Sequence, residues 1–360
     1  MNALLLLSLV LAPQVQDAPS EPEPTAAEAR AERMRTFADD LAAESGVAVV
    51  FEDGGPPHLR IGAPDSPAIV LVPGELDDDE PLQAAFDGDP VRAARSIAID
   101  GELRAVLDGL CVLVPVALEG RGSLVVDPGQ NFPARWSRSR EIAGRRAGPY
   151  PGALPRVSEL TDWLLGEARC AGVVLAGVES GAVARGADGL YAPGSLAAFA
   201  EERVGASVES CDRTWVGRKA ALLRAVNALP RLELRGAHWQ RIGASSWTLD
   251  LVVANVGPTG TGSVAHARAR RPRGVEVQVE LRSAGARWAS SAVALEDGAP
   301  LRVLEARDGV LALPDLDGAH ACRLRLFFAS EPGTEGAAPV VDVEARSARS
   351  VRGVLTGLSP

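Results

Sequence analysis

Lysine is nearly absent: Lys219 is the only one, and every other cation is an arginine. Two tyrosines, two methionines, four histidines and four cysteines complete the scarce residues. The net charge of −10 excludes the clustered cations that phosphate-backbone binding requires, so no nucleic-acid partner is expected. Cys111, Cys170, Cys211 and Cys322 have no metal-ligand spacing. Cys111 lies in an apolar run and Cys322 in an alternating strand, which makes both core residues. Cys170 and Cys211 are a candidate disulfide in an oxidising compartment. No hydrophobic run is long enough for a membrane span. The arginine bias, together with abundant alanine, glycine and valine, reads as a GC-rich genome and carries no function.

The chain opens on a short apolar run, Leu4 to Ala12, followed at once by Pro13 and polar residues. A run of this length suits the core of a signal peptide, with Ala12 and Ala18 as candidate cleavage sites. No cysteine stands just after it, so a lipoprotein anchor is not expected. The expectation is an exported protein, periplasmic or extracellular, with no membrane attachment after cleavage. Its predicted organisation is a signal peptide over 1–18, a linker over 19–26, an α/β domain over 27–229, a β-sandwich over 230–346 and a loosely ordered tail over 347–360.

Periodicity divides the two domains. Met34, Phe37 and Leu41 at spacings of three and four predict a helix over Ala27 to Ala43. Four continuously apolar runs follow, Val47 to Phe51, Ala68 to Pro73, Leu110 to Val116 and Gly172 to Ala176. Such runs suit strands buried on both faces of a mostly parallel sheet. Helices are predicted between them over Pro81 to Leu107, interrupted at Gly88-Asp89-Pro90, and over Pro155 to Ala168. Alternation of this kind gives a sheet covered by helices. After Pro230 the period drops to two. Trp247, Leu249, Leu251 and Val253 alternate with polar or small residues, as do Val275, Val277, Val279 and Leu281, and then Cys322, Leu324 and Leu326. With Gly/Pro turns such as Asn255-Val256-Gly257-Pro258, this is the pattern of an antiparallel, Ig-like sandwich.

Ligands of α/β sheets bind beyond the carboxyl ends of the strands. Three loops hold that position: Gly74-Glu75-Leu76-Asp77-Asp78-Asp79-Glu80-Pro81; Asp127-Pro128-Gly129-Gln130-Asn131-Phe132-Pro133 with Trp136; and Gly177-Val178-Glu179-Ser180-Gly181. Their order and spacing, with Ala117-Leu118-Glu119-Gly120 and Gly148-Pro149-Tyr150-Pro151 between, resemble the zinc carboxypeptidases, the funnelin metallopeptidases. The similarity runs from about Ala68 to Ala182, and Asn131-Phe132-Pro133 with Trp136 is its most distinctive stretch. The resemblance implies a catalytic zinc held by two histidines and a glutamate, an Asn-Arg clamp for the substrate's terminal carboxylate, and a late general-base glutamate. A β-sandwich after the catalytic domain also occurs among bacterial relatives.

The departures fall on every one of those parts. The metal-site positions are occupied by Asp77, Glu80 and Val178, and valine has no lone pair to donate. Two carboxylates suit a harder cation than zinc. Gly129 and Gln130 stand at the clamp, and a glutamine cannot make the charged, bidentate contact of an arginine. The general base has no located counterpart, since only about 50 residues separate Val178 from Pro230. His58, His238, His266 and His320 supply no replacement pair. The leading expectation is therefore a zinc-free pseudoenzyme that binds an unknown peptide or protein, or acts as a scaffold. Two alternatives stay open. One is an active hydrolase, either with atypical metal ligands such as Asp77 and Glu80 or with Ser180 as nucleophile. The other is a purely structural secreted protein. Calcium or magnesium at Asp77 to Glu80 is weighed against a solvated, helix-capping loop, and sugar or peptide binding by Trp136 or Trp239 against core or edge packing.

Overall fold

The computed structural model describes residues 25–53, 56–73, 89–116, 133–134, 141–142, 145–146, 155–167, 169–176, 185–193, 195–212, 214–262, 274–295, 302–334 and 337–360. The first helix, α1 (Ala26–Ser45), starts where Thr25 and Glu28 form a reciprocal capping box and stops at Gly46, whose φ of +69° is the left-handed cap that glycine tolerates. Its buried stripe of Ala31, Met34, Ala38 and Leu41 lies against the first sheet.

That sheet contains β1 (Val49–Glu52), β2 (His58–Gly62), β3 (Ala68–Pro73), β4 (Cys111–Pro115), β7 (Cys170–Ala176) and β8 (Ser207–Cys211), in the order β1-β2-β4-β3-β7-β8. Strands β4 and β7 are buried at every residue, as their unbroken apolar composition requires. Helices α2 (Asp89–Ile99), α3 (Gly101–Leu107) and α6 (Trp215–Ala228) join α1 on one face. Helices α4 (Pro155–Gly166) and α5 (Leu196–Phe199), the latter continuing into a π turn over Ala200–Val204, cover the other. A short ribbon, β5 (Glu141–Ile142) and β6 (Arg145–Arg146), stands apart.

The sheet is mostly parallel, through β4, β3, β7 and β8, and mixed at one edge, where β1, β2 and β4 pair antiparallel. The connection from β1 to β2 is too short for a parallel crossover. The helix predicted up to Leu107 has a further break at Asp100; α2 begins at Asp89, inside the predicted interruption, and the part before it lies outside the described residues. Asp100 accepts hydrogen bonds from the Glu102 and Leu103 amides at 3.0 and 3.1 Å and faces Lys219 Nζ at 3.0 Å, so its side chain starts a new helix instead of continuing the old one.

Cys170 and Cys211 do not pair: none of the four cysteines is in a disulfide, and all are buried. Cys211 is in register with Ala176, about 20 Å along β7 from Cys170 at the usual strand rise, and the two thiols enter opposite cores.

The second domain is a sandwich of antiparallel sheets. One has the order β13-β12-β15-β10-β9, with β9 (Leu232–Gly243), β10 (Ser246–Asn255), β12 (Ala286–Leu295), β13 (Arg302–Glu305) and β15 (Ala321–Ser330). The other has the order β14-β11-β16-β17, with β11 (Val275–Leu281), β14 (Val310–Leu313), β16 (Val341–Arg346) and β17 (Gly353–Leu358). Leu249, Leu251, Val253, Val275, Val277, Cys322, Leu324 and Leu326 meet in the core between them. The residues expected to form a loose tail are part of this fold: β17 pairs with β16, and Val351 bridges to Arg231. Gly353-Val354-Leu355-Thr356-Gly357-Leu358 shows no polar–apolar alternation and contains two glycines, which hides that strand in the sequence. Among the described residues no helix is long and apolar enough to cross a membrane.

The domains meet where α6 ends and β9 begins, and buried Asn255 organises the turn there. Its Oδ1 accepts from the amides of Arg231 and Gly257, both at 3.1 Å, while Nδ2 donates to the carbonyls of Thr259, Leu316 and Asp317 at 2.8, 3.2 and 3.1 Å. A Cβ on Gly257 would lie 2.2 Å from the Leu229 carbonyl, so the close approach requires glycine. Replacing Asn255 with alanine leaves the Arg231 and Gly257 amides without their acceptor and removes a donor from three carbonyls, of which those of Leu316 and Asp317 keep a backbone amide, and we expect a loss of about 2–4 kcal/mol in urea unfolding; a loss below about 1 kcal/mol would contradict this account. Thiol titration provides a second check: all four cysteines should resist a thiol reagent at pH 8 in the folded protein and all should react once it is unfolded without reductant. Only two reactive thiols after unfolding would reinstate a disulfide.

Candidate functional site

The parallel strands β3, β4, β7 and β8 end side by side, and the ends of β3 and β7 are in register at Pro73 and Ala176. The chain leaving β3 goes on to β4 on one side, whereas the chain leaving β7 goes on to β8 on the other. Diverging connections from adjacent strands leave a crevice at the carboxyl edge, the usual position of a ligand site in an α/β sheet. Asp77 and Glu80 follow β3 in the chain, and Val178 follows β7. These three, with Gly129, Gln130, Trp136, Ser180 and His266, lie outside the described residues.

The donor set they present does not fit the zinc that the carboxypeptidase resemblance implies, because two carboxylates and a hydrocarbon leave the third ligand position unfilled. Among the described residues no group of three or more histidine, cysteine, aspartate or glutamate side chains is placed to hold a metal.

Near the same edge lies a polar cluster that inspection of the sequence missed. His58 opens β2 beside Pro115 of β4 and is buried. Its Nδ1 lies 3.0 Å from the Pro56 carbonyl. Its Nε2 is 3.3 Å from Glu52 Oε2, close enough for an ion pair but poorly aligned for a hydrogen bond. The other carboxylate oxygen of Glu52 accepts from Arg60 Nε at 2.6 Å, and the imidazole packs on Trp163 with ring centroids 4.9 Å apart. With both ring nitrogens turned to protein oxygens and the ring covered by indole, His58 offers nothing to a ligand. The turn residues Gly54-Gly55-Pro56-Pro57 were the available signal for this hairpin.

Three further ionic groups are also occupied by the fold. Burial pushes the Glu167 carboxyl up, but Arg169, donating from Nε at 2.8 Å and Nη2 at 3.0 Å, outweighs this and holds it below the ordinary glutamate range. Arg169 also donates to the Pro64 carbonyl, fastening the entry of β7 to the loop before β3. After β8, Asp212 accepts from the Thr214 hydroxyl at 2.6 Å and amide at 2.9 Å, and the hydroxyl lowers its pKa most. A Cβ on Gly217 would come within 2.2 Å of Asp212, so the amino end of α6 is filled by its own aspartate. Arg185 lies 4.4 Å over the ring of buried Tyr191, donates to the Gly189 carbonyl at 2.8 Å and pairs with Glu201. Burial pushes the Tyr191 phenol up.

Of the other sequence candidates, Trp239 packs on Phe328 with centroids 5.2 Å apart, while His238 and His320 are exposed on the sandwich.

No family model matches the chain, and no curated protein does. Among solved structures it is a weak neighbour of thrombin activatable fibrinolysis inhibitor, a carboxypeptidase B-like zinc metallopeptidase zymogen. The two are 13% identical over 50% of this chain and 58% of that one, with a TM-score of 0.28. AvmM, which catalyses macrocyclization in alchivemycin A biosynthesis, matches 36% of this chain and 87% of its own at 8% identity and a TM-score of 0.22. An uncharacterised β-sandwich protein from Clostridium difficile 630 matches 36% of this chain and 76% of its own at 7% identity and a TM-score of 0.17. At such scores none of these likenesses carries a functional argument.

The Glu167–Arg169 pair makes a pH prediction. A carboxyl whose folded pKa is lowered contributes stability that is present above its unfolded value of roughly 4.3 and is lost as pH falls through the folded value. Urea midpoints should therefore drop between about pH 5 and pH 3, and Glu167→Gln should flatten part of that slope. An unchanged slope in the variant would show that the pair does not contribute.

Proposed function

We propose that this chain is an exported, carboxypeptidase-like binding module without peptidase chemistry, working in the periplasm or outside the cell. A single observation carries the reading. In the sequence, Asp77 and Glu80 follow β3 and Val178 follows β7, and the carboxypeptidase resemblance expects histidine, glutamate and histidine at those three positions. A valine removes a ligand outright, and the two carboxylates that remain leave the zinc set incomplete. Gln130 in place of the clamp arginine also removes the charge that would select a terminal carboxylate. Metal and substrate recognition are thus absent together, while the sheet that would have carried them keeps a fully packed interior. A peptide or protein ligand at the crevice is the class of partner this reading assigns.

Elemental analysis after zinc incubation and exhaustive dialysis tests it. We expect less than about a tenth of an equivalent of zinc, because a complete site holds its metal through dialysis. Near-stoichiometric zinc, or release of carboxyl-terminal residues from peptides with any divalent metal, would sink the proposal. A binding role further requires that some member of a peptide panel raise the melting temperature in a concentration-dependent way.

A further inference from the structure

Among the described residues, Arg349 is the bulkiest of the side chains that the fold buries completely, with 1% of its surface exposed. It stands in the turn after β16, where the Ser347 amide donates to Ser350 Oγ at 3.1 Å and the two hydroxyl oxygens lie 3.0 Å apart. From this turn its guanidinium reaches across the domain boundary. Nε donates to the carbonyl of Cys170, the first residue of β7, at 3.0 Å, and Nη2 donates to the carbonyl of Gly205, the left-handed cap of the π turn. Nη1 turns back to the sandwich and donates to the Gly262 carbonyl at 2.9 Å. All three acceptors are backbone carbonyls, and Asp315 acts on the cation only through space. An arginine so far from water is tolerated only while its donors are satisfied. Two of its acceptors belong to the α/β domain and one to the sandwich, so satisfaction depends on the domains being docked.

A second attachment lies at the junction itself. Val351 donates to the Pro230 carbonyl at 2.9 Å, Leu232 donates to the Val351 carbonyl at 2.9 Å, and Thr259 Oγ donates to the Ala228 carbonyl at 2.5 Å. One attachment at a chain junction leaves a hinge, and a second one away from it removes the rotation. We propose that Arg349 is an interdomain latch whose planar fork joins β7, the π turn and the sandwich, so that the two domains unfold as one cooperative unit. The cleft of about 700 Å³ beside the latch, between the loop over 63–67 and the sandwich, then keeps a fixed width.

Scanning calorimetry of the full chain tests the latch. The wild type should melt in one transition with calorimetric and van't Hoff enthalpies in agreement. Arg349→Met should split this into two transitions, the lower at least about 5 °C below the original. Arg349→Lys should move the same way, because one ammonium cannot reach three carbonyls. The control Arg352→Met, which removes a surface partner of Glu344 at 3.5 Å, should leave a single transition. Two transitions in the wild type, or one transition in Arg349→Met at any temperature, would overturn the proposal. Should the methionine variant not accumulate as folded protein, limited proteolysis of Arg349→Lys decides: faster cleavage at the Ala228–Arg231 junction supports the latch, and wild-type resistance overturns it.

Discussion

Burial of β4 and β7 on both faces is the constraint from which the α/β domain follows. A strand with no polar face is stable only inside a sheet that is covered above and below, so helices are needed on each side. The chain supplies them by alternating: α2 and α3 after β3, α4 before β7, α5 after it and α6 after β8. The same alternation sends the connections from β3 and β7 in opposite directions, and the crevice at their ends follows. The packed core and the carboxyl edge where ligands of such sheets bind therefore have one origin.

Ionic groups in this molecule mostly serve the architecture. Glu52 holds His58 and Arg60, Glu167 holds Arg169, and Asp100 both starts α3 and receives the only lysine. Asp212 fills the amino end of its own helix. The Glu167–Arg169 and Asp100–Lys219 pairs bring charges together at low exposure, where an unpaired one would be costly. A catalytic group needs the opposite arrangement, with a lone pair or proton left free and facing a cavity. Buried thiols fit the same pattern, since burial pushes Cys111 up to about 11 and Cys170 up to about 12, leaving them inert.

The junction between the domains is rigid for a reason that side chains alone do not reveal. Backbone amides and carbonyls that leave water at the boundary must find partners. Asn255 serves five of them from one side, and Arg349 serves three from the other. These two buried polar residues sit far apart in sequence: Asn255 acts on the segment that joins α6 to β9, and Arg349 on β7, the π turn and the sandwich.

Much of the architecture was legible from composition and period. Unbroken apolar runs gave β3, β4 and β7, and the two-residue alternation gave β10, β11 and β15, because burial on one face or two is written directly into the residue order. Asp77, Val178 and Gln130 were legible only as residue types, and they lie outside the described residues. The direction of pairing was not legible. The order β1-β2-β4-β3-β7-β8 depends on which strands meet in space, and the antiparallel entry of β1 and β2 depends on a short turn. The opposite cores of Cys170 and Cys211, the Glu52–His58–Trp163 cluster and the reach of Arg349 to Cys170 were decided by tertiary structure alone. Each joins residues whose nearness comes from packing, and no local preference in the chain encodes a contact across 179 positions.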